Sequence, residues 1–353
     1  MTFLKISKFV SITLAFCMAI NTETLHAQEF IGYIENTVNP EDMVVIPATT
    51  WVVASTDKTP GKSKPGYFYL INTVTGVAQL ANAKVAPLSS TGDPACKPLN
   101  LSDLAMSGLA IRNTNDGALQ LMAVNRGKRM SIEFFNVDLS TSEPALTWSG
   151  CVVMPDKAFP NAVIPLGDDG MAVTISFETD NKKFMQQLEN KVNTGYLLEW
   201  NKQNGFRRVA NSELSLNNGL EISPDGKFYY IAGWGNESIL RLPTSSGKSK
   251  PQQVNIGMKP DNLSWSSKGK LIVAGQLQSA GSIFNCVASE KDICPVPFKI
   301  IEVDPDTLAT LGVLVDDAKM ENYAAATTGL EVGNELWVSA FRNTKIARYR
   351  LGK

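Results

Sequence analysis

Short apolar runs rich in β-branched and aromatic residues alternate with polar turns along most of the chain, and helical periodicity is nearly absent. This pattern is typical of an all-β protein. One unit recurs: a polar residue, a short apolar strand, a turn, and a second strand that ends in small residues. The clearest copy opens at Asn218, turns at Pro224-Asp225-Gly226 and ends at Ala232. Five further copies open at Asp42, Ser107, Asn161, Asn262 and Thr328.

The spacing of these six copies predicts the architecture. They follow one another at intervals of roughly 45–65 residues, the range of a four-stranded propeller blade. We therefore predict an all-β fold, a six-bladed β-propeller with four-stranded blades, in which each visible hairpin belongs to one blade. The stretch from Phe30 to Tyr33 would close the ring by joining the last blade, whose final visible strand runs from Lys345 to Leu351.

One segment, 181–193, has the periodicity of an amphipathic helix. Phe184, Met185, Leu188 and Val192 would share its apolar face. The segment follows a predicted inner strand that ends near Phe177. Two interpretations are open: a lid over the channel mouth, with Phe184 contacting substrate, or a surface helix packed on a blade.

The N-terminus has the features of an export signal. Lys5 and Lys8 precede the apolar run from Phe9 to Ile20, and Leu25-His26-Ala27 offers a cleavage site before Gln28. We predict a signal peptide at 1–27 and a single propeller domain at 28–353, exported to the periplasm or the extracellular medium. A retained anchor is the alternative, and no later stretch of sequence is long and apolar enough to span a membrane.

Cleavage would remove the only histidine and shift the net charge. The segment carries Lys5 and Lys8 against Glu23, so the mature chain would have a net charge of −2 instead of −1. A nearly neutral chain without basic runs has no electrostatic footprint for nucleic acid. Loss of His26 excludes a Ser-His-Asp triad, a Cys-His dyad and a His-ligated zinc site. No phosphate-binding or nucleotide motif is present.

Four cysteines would remain in the mature chain, an even number that favours disulfides in an exported protein. Three pairings are possible. We favour Cys286–Cys294, which closes a short polar loop, together with Cys96–Cys151. A four-thiolate metal site is the alternative, but the sequence has no C-x-x-C pair to support it.

The polar residue that opens each copy carries the candidate chemistry. Equivalent positions of propeller blades are related by rotation about one axis, so these side chains would converge on a central point. Carboxylate and amide oxygens suit a hard cation such as Ca²⁺. Taken singly, each Asn or Asp could instead be a turn residue that bonds its own backbone. The positions are Glu41-Asp42, Ser107, Asn161, Asn218, Asp261-Asn262 and Thr328.

Three segments resemble a known superfamily. The run from Asn218 to Ala232 is similar to the N-G-I-x-x-S-P-D-G-K-x-x-Y-x-A motif of the paraoxonase, gluconolactonase and strictosidine synthase superfamily. The segments 40–47 and 260–263 resemble the metal-binding segments of paraoxonases. This resemblance implies one calcium ion at the bottom of the central channel, bound by Glu41, Asn161, Asn218, Asp261 and Asn262. Paraoxonases hold a second calcium partly through an acidic pair; Asp42 keeps one member, but Ala162 replaces the other, which leaves a second site doubtful.

The resemblance also defines where this chain departs from paraoxonases. Arg126 stands where they carry a catalytic histidine, so their proposed histidine base cannot operate. Gluconolactonase-like relatives instead use a divalent metal to polarise a lactone carbonyl or to activate water, with a carboxylate as base. Asp261 or Glu41 would be that catalytic base. Arg126 has two interpretations: it binds an anionic substrate group or oxyanion, or it is a solvated loop residue.

Three functions follow as hypotheses. The first is a calcium-dependent hydrolase that acts on a small-molecule lactone or aryl ester. The second is a non-catalytic propeller that binds a ligand or partner around a structural metal, which the missing histidine motivates. The third is a condensing enzyme like strictosidine synthase, a metal-free subgroup; retention of Glu41, Asp261 and the asparagines argues against it.

Overall fold

The computed structural model describes residues 29–58, 68–86, 91–98, 100–167, 169–244 and 249–352. The predicted signal peptide at 1–27 lies outside the described residues. Within them the chain is almost entirely strands and turns.

The strands of the first half are β1 (Glu29–Ile34), β2 (Met43–Val45), β3 (Trp51–Ala54), β4 (Tyr69–Asn72), β5 (Ala78–Leu80), β6 (Ala83–Val85), β7 (Thr91–Gly92), β8 (Met106–Asn113), β9 (Leu119–Arg126), β10 (Met130–Asp138), β11 (Ala145–Val153), β12 (Ala158–Leu166) and β13 (Gly170–Glu178). The strands of the second half are β14 (Tyr196–Asn201), β15 (Gly205–Arg208), β16 (Asn217–Ile222), β17 (Phe228–Gly233), β18 (Ser238–Pro243), β19 (Gln252–Asn255), β20 (Lys259–Trp265), β21 (Leu271–Gln276), β22 (Phe298–Val303), β23 (Thr310–Asp317), β24 (Ala326–Val332), β25 (Glu335–Ala340) and β26 (Ile346–Arg350).

These strands form the six blades of a β-propeller. Blades 1 to 5 are the antiparallel meanders β2–β5, β8–β11, β12–β15, β16–β19 and β20–β23, and blade 2 carries the short strands β6 and β7 on its outer edge. Blade 6 contains β24, β25 and β26, and the N-terminal strand β1 completes it by pairing antiparallel with β26. Tyr33 lies opposite Ala347 in that pair. The predicted fold and the predicted ring closure are both confirmed.

All six predicted hairpins are the two innermost strands of a blade. Their second strands are mostly apolar because both of their faces are covered by neighbouring strands and blades. In β21, for example, all six residues are buried. The hydrophobic core lies between adjacent blades: Phe68 of blade 1 meets Phe135 of blade 2 edge to face, with ring centroids 5.0 Å apart. Burial of one such ring stabilises the fold by about 1.5–3 kcal/mol.

Helical structure is confined to short segments. Besides a 3₁₀ turn at Leu101–Asp103, the described residues contain α1 (Phe184–Glu189) and α2 (Ala280–Val287). The predicted helix at 181–193 is therefore real but shorter, and it stops before Lys191, which has a left-handed φ of 55°. Helix α2 was not predicted; Ser279 caps it by accepting a hydrogen bond from the Ser282 amide. No helix in the described part of the chain is long and apolar enough to cross a membrane.

Two disulfides join the pairs that we favoured from the sequence. Cys96–Cys151 ties the loop before blade 2 to its outer strand β11, and Cys286–Cys294 fastens the end of α2 to the segment that leads into β22. Disulfides are typical of proteins that fold in an oxidising compartment.

Candidate functional site

A bulge in the inner strand places the polar residue in each of three blades. In blade 3, Pro160 pairs with Ile175 and the next pair is Val163 with Val173, so the strand carries one extra residue around Asn161. The same irregularity occurs at Asn217/Leu220 in blade 4 and at Pro260/Leu263 in blade 5. Bulges twist a strand and redirect its side chains.

Hydroxyl groups and small residues make this geometry possible. In blade 3 the Thr174 hydroxyl accepts a hydrogen bond of 2.9 Å from the Ala162 amide at the bulge. It donates one of 2.6 Å to the Asn218 carbonyl of the next blade. Neighbouring inner strands approach closely: a Cβ on Gly219 would lie 2.3 Å from the Asp261 carbonyl oxygen. The Asn-Gly pair thus combines a channel-facing amide with the only residue that tolerates this contact.

Four of the five predicted metal ligands line one cavity. Glu41, Asn161, Asn218 and Asp261 all face a space of about 330 Å³ in the central channel. Asn262 instead lines a second cavity of about 440 Å³, shared with Asp42. Its Nδ2 donates to Thr328 Oγ1 at 3.0 Å and lies 3.4 Å from the Glu41 carbonyl oxygen. The structure therefore brings together four of the five residues, and places the side chain of Asn262 against the backbone of the first.

Three oxygens in this group are buried and have no hydrogen-bond partner: Glu41 Oε2, Asn161 Oδ1 and Asn218 Oδ1. A buried oxygen without a donor costs about 1–3 kcal/mol, more when it is charged. A bound cation would satisfy three such atoms beside one cavity. The donor set fits a hard divalent cation, because all its atoms are oxygens.

The amides are essential to this set. The described residues contain no group of three or more His, Cys, Asp or Glu side chains that could hold a metal. Glu41 and Asp261 are the only carboxylates among these four residues, so Asn161 and Asn218 would complete the protein contribution to a cation site. Calcium takes six to eight oxygens, which leaves positions for water and substrate.

Hydrogen bonds from other side chains hold the Asp261 carboxylate and the Glu41 backbone in place. Asp261 Oδ2 accepts a hydrogen bond of 2.7 Å from Gln276 Nε2, and Gln276 Oε1 accepts one of 2.7 Å from Trp234 Nε1. The Glu41 carbonyl accepts from Thr327 Oγ1 at 2.6 Å, which fixes its backbone to blade 6. The Asp261 carboxylate and the Glu41 backbone are thus held by hydrogen bonds from other strands.

Burial perturbs both carboxylates. It raises the pKa of Glu41 well above its ordinary value; Arg126 opposes this effect, and Asp261 adds to it. Burial likewise raises the pKa of Asp261 to about 7, against hydrogen bonding from Gln276 and the charge of Arg126. An adjacent cation would lower both pKa values again, because a positive charge favours the carboxylate.

The Asp42 carboxylate is engaged in hydrogen bonds within the protein. Its Oδ2 accepts from the Leu109 amide at 2.7 Å, and its Oδ1 accepts from the Met43 amide at 2.8 Å and from Thr328 Oγ1 at 3.0 Å. Burial raises the pKa of Asp42 to about 6 although these bonds lower it. Asp42 therefore links the inner strands of three blades, and Ala162 at the opposite position offers no second ligand.

Arg126 lines the cavity, which contradicts its interpretation as a solvated loop residue. Its side chain is only 11% exposed, its Nη2 lies 3.0 Å from Asp57 Oδ2 and 3.8 Å from Glu41 Oε1, and its guanidinium sits 5.4 Å from the centre of the Phe159 ring. Asn125 fixes the loop by accepting hydrogen bonds from the Ala105 and Gly127 amides, both at 3.0 Å.

Aromatic rings form the mouth of the cavity. Phe159, Phe177 and Phe284 line it. The predicted contact residue Phe184 lies behind two of them, with its ring 4.2 Å from that of Phe177 and 5.5 Å from that of Phe284. Helix α2 provides the roof through Ile283, Phe284 and Val287. The helix that lines the cavity is thus α2, and α1 packs against it through Phe184 and Phe284.

Several cavity residues were missed by the sequence analysis because they share no residue type. They stand at or just after the ends of the second strands, a position that the repeat defines as clearly as the first. Extension of the repeat argument to this position would have found them. They are Asp57, Trp234, Gln276, Phe341 and Arg342.

Comparison with known proteins gives the same architecture. No family model and no curated protein matches the sequence. Among solved structures, a luciferin-regenerating enzyme superimposes with a TM-score of 0.53 and 13% identity, over 90% of this chain and 92% of that one. A gluconolactonase from Xanthomonas campestris gives a TM-score of 0.53 and 13% identity, over 91% and 89% of the two chains.

The likeness is one of fold. At this level of identity it extends to the arrangement of the blades and not to individual site residues. The comparison confirms the fold that the resemblance to the paraoxonase, gluconolactonase and strictosidine synthase superfamily implied.

Proposed function

We propose that the protein is a calcium-dependent hydrolase of lactones or aryl esters that acts after export. The observation that carries this proposal is the group of three buried, unpartnered oxygens on Glu41, Asn161 and Asn218 beside Asp261. A cation site at the floor of a cavity open to small molecules is suited to catalysis. The fold likeness to a gluconolactonase makes lactones the first substrates to test.

The residues would divide the work as follows. Glu41, Asn161, Asn218 and Asp261 would hold the ion, while Asn262 would support the backbone of Glu41 from the second cavity. A bound Ca²⁺ supplies Lewis acidity toward a carbonyl or a water molecule. Asp261 and Glu41 are the carboxylates that can accept a proton at the cavity floor. Arg126 would face an oxyanion or an anionic group, and the aromatic mouth would exclude water.

The alternative is a binding propeller in which the metal is structural. It is favoured by the absence of histidine from residues 28–353 and by the ion pair that Arg126 makes with Asp57. In this version the cavity would take a small ligand without converting it. The two functions share the metal and differ in turnover.

The test combines metal removal with a substrate panel. Mature protein is treated with EDTA and assayed for hydrolysis of lactones and aryl esters, before and after calcium is restored. The hydrolase predicts turnover that EDTA abolishes and calcium recovers. Turnover that persists in EDTA would overturn the metal mechanism, and a calcium-stabilised protein that cleaves no member of the panel would favour the binding propeller.

A further inference from the structure

Arg342 is a buried arginine in the wall of the cavity that Glu41 and Asp261 share. It stands shortly after the end of β25, lines the cavity and is only 2% exposed. Its Nη1 donates to the carbonyl oxygens of Lys58 at 3.1 Å and Phe341 at 3.3 Å, and its Nη2 donates to that of Val287 at 3.0 Å. Its Nε is buried and has no hydrogen-bond partner.

No carboxylate among the described residues pairs with this guanidinium. The contrast with Arg126 in the same cavity is direct, because Arg126 has Asp57 at 3.0 Å. The charges of Asp57 and Asp292 act on Arg342 only from beyond ion-pair distance, and burial lowers its pKa. Burial of a charge without a counterion is costly, so such groups usually have a partner.

The unused donors suit an oxyanion. A guanidinium has five N–H groups, and three are engaged by main-chain carbonyls, which leaves the Nε–H and one N–H on Nη2. Two N–H groups of one planar guanidinium match the two oxygens of a carboxylate. The carbonyl contacts meanwhile fix the head group, so little side-chain entropy would be lost on binding.

The net charge of the cavity also favours an anionic ligand once the ion is bound. Its carboxylates are Glu41, Asp57 and Asp261, and its cationic side chains are Lys58, Arg126 and Arg342. These balance when all are ionised, so a divalent cation would leave the cavity with a net charge of about +2. A substrate with one carboxylate would reduce this net charge to about +1.

We propose that Arg342 determines substrate specificity by binding a carboxylate group of the substrate, so that the enzyme acts on carboxylate-bearing lactones or esters. The inference rests on the proposed hydrolase function for its catalytic part, while the anion site itself does not require turnover. The Phe159, Phe177 and Phe284 rings offer an apolar surface for the rest of the molecule.

The kinetic test uses a pair of γ-lactones that differ only in charge: 5-oxotetrahydrofuran-3-carboxylate and its neutral carboxamide. We expect kcat/KM for the carboxylate to exceed that for the carboxamide by at least about tenfold, through KM, as a charged hydrogen-bonded pair allows. Arg342→Gln should reduce the preference to about twofold or less, and Arg342→Lys should retain part of it. Arg348→Gln is the control, since Arg348 is an arginine of the same blade that pairs with Glu335.

A binding experiment separates this inference from the hydrolase proposal. Cyclopentanecarboxylate and cyclopentanecarboxamide have no hydrolysable ring, and their affinities for the calcium-loaded protein are measured by calorimetry. Tighter binding of the carboxylate that Arg342→Gln abolishes would support the anion site even if no lactone is cleaved. Equal binding and equal kcat/KM of charged and neutral probes by the wild-type protein would overturn it, whatever the variants do.

Discussion

Gln276 donates a hydrogen bond of 2.7 Å to Asp261 across the floor of the central cavity. The same amide nitrogen lies 2.6 Å from the Ala326 carbonyl, and the amide oxygen is held by Trp234. Because both the amide nitrogen and the amide oxygen of Gln276 have partners, Gln276 fixes the orientation of Asp261, which also accepts a hydrogen bond from the Asn218 side chain.

Replacement of Gln276 should therefore weaken the metal site without removing a ligand. We predict that Gln276→Leu lowers calcium affinity by about 10- to 100-fold, the usual effect of losing a residue that orients a ligand. Calorimetric titration with calcium measures it. Gln278→Leu is the matched control, because Gln278 is only partly buried and bonds only the Pro295 carbonyl among the described residues. Equal affinity in both variants would contradict this role.

The unpartnered oxygen of Asn161 leads to a prediction about the stability of the protein with and without calcium. Asn161→Ala should change the stability of the calcium-free protein by no more than about 1 kcal/mol, since it removes a buried oxygen that lacks a partner. It should abolish most of the stabilisation by calcium. Thermal melts with EDTA and with calcium measure both effects.

The neighbouring Asn217 provides the contrast. Its Oδ1 accepts from the Leu214 amide at 3.0 Å and its Nδ2 donates to the Ser212 carbonyl at 2.8 Å. Asn217→Ala should cost about 1–3 kcal/mol with or without calcium. If Asn161→Ala behaved like Asn217→Ala, the side chain of Asn161 would be structural.

The buried carboxylates predict how calcium-free stability depends on pH. The folded pKa of Asp261 is about 7 against an ordinary value of 3.8, and that of Glu41 is raised in the same direction. The folded state therefore binds protons more tightly than the unfolded state, and stability falls as pH rises from about 4 to 7. Calcium should oppose this loss, and its affinity should fall as pH drops below 7. Melting temperatures at pH 5.0 to 8.0 test both trends; a calcium-free protein that gains stability over this range would contradict them.

The disulfide at the end of α2 should act on the cavity roof. Cys286→Ser with Cys294→Ser frees the segment that carries Ile283, Phe284 and Val287, so we predict a higher KM and a stability loss of ~3 kcal/mol. In the control, Cys96→Ser with Cys151→Ser removes a disulfide that closes a longer loop. This should cost ~4 kcal/mol of stability with KM unchanged. The assay is lactone hydrolysis together with denaturant unfolding. A KM that responds equally to both pairs would rule out a specific role of α2.

The sequence predicted the parts of this molecule that local chemistry determines. Asp-Gly and Pro-Asp-Gly turns between apolar runs specify the inner hairpins, and the even cysteine count specified two disulfides. Helix α2 was not predicted because its eight residues include Gly281 and the disulfide-bonded Cys286. Its tertiary contacts, and not its intrinsic helix propensity, make it helical.

The division of the polar residues between two cavities could not be predicted either. Asp261 and Asn262 are adjacent and both polar, and only the register of the bulge decides which of them faces which cavity. Arg342 was missed for a related reason: its role depends on carbonyl groups of two other segments, at Lys58 and Val287, that no local pattern reveals.

The most direct test of the central claim is the calcium content and affinity of the mature protein. Elemental analysis and calorimetry should find one calcium ion per chain, and Asp261→Asn and Asn218→Ala should each weaken its binding by at least about tenfold. Absence of calcium binding by the wild-type protein, or binding that neither substitution affects, would contradict a cation site at the floor of the channel.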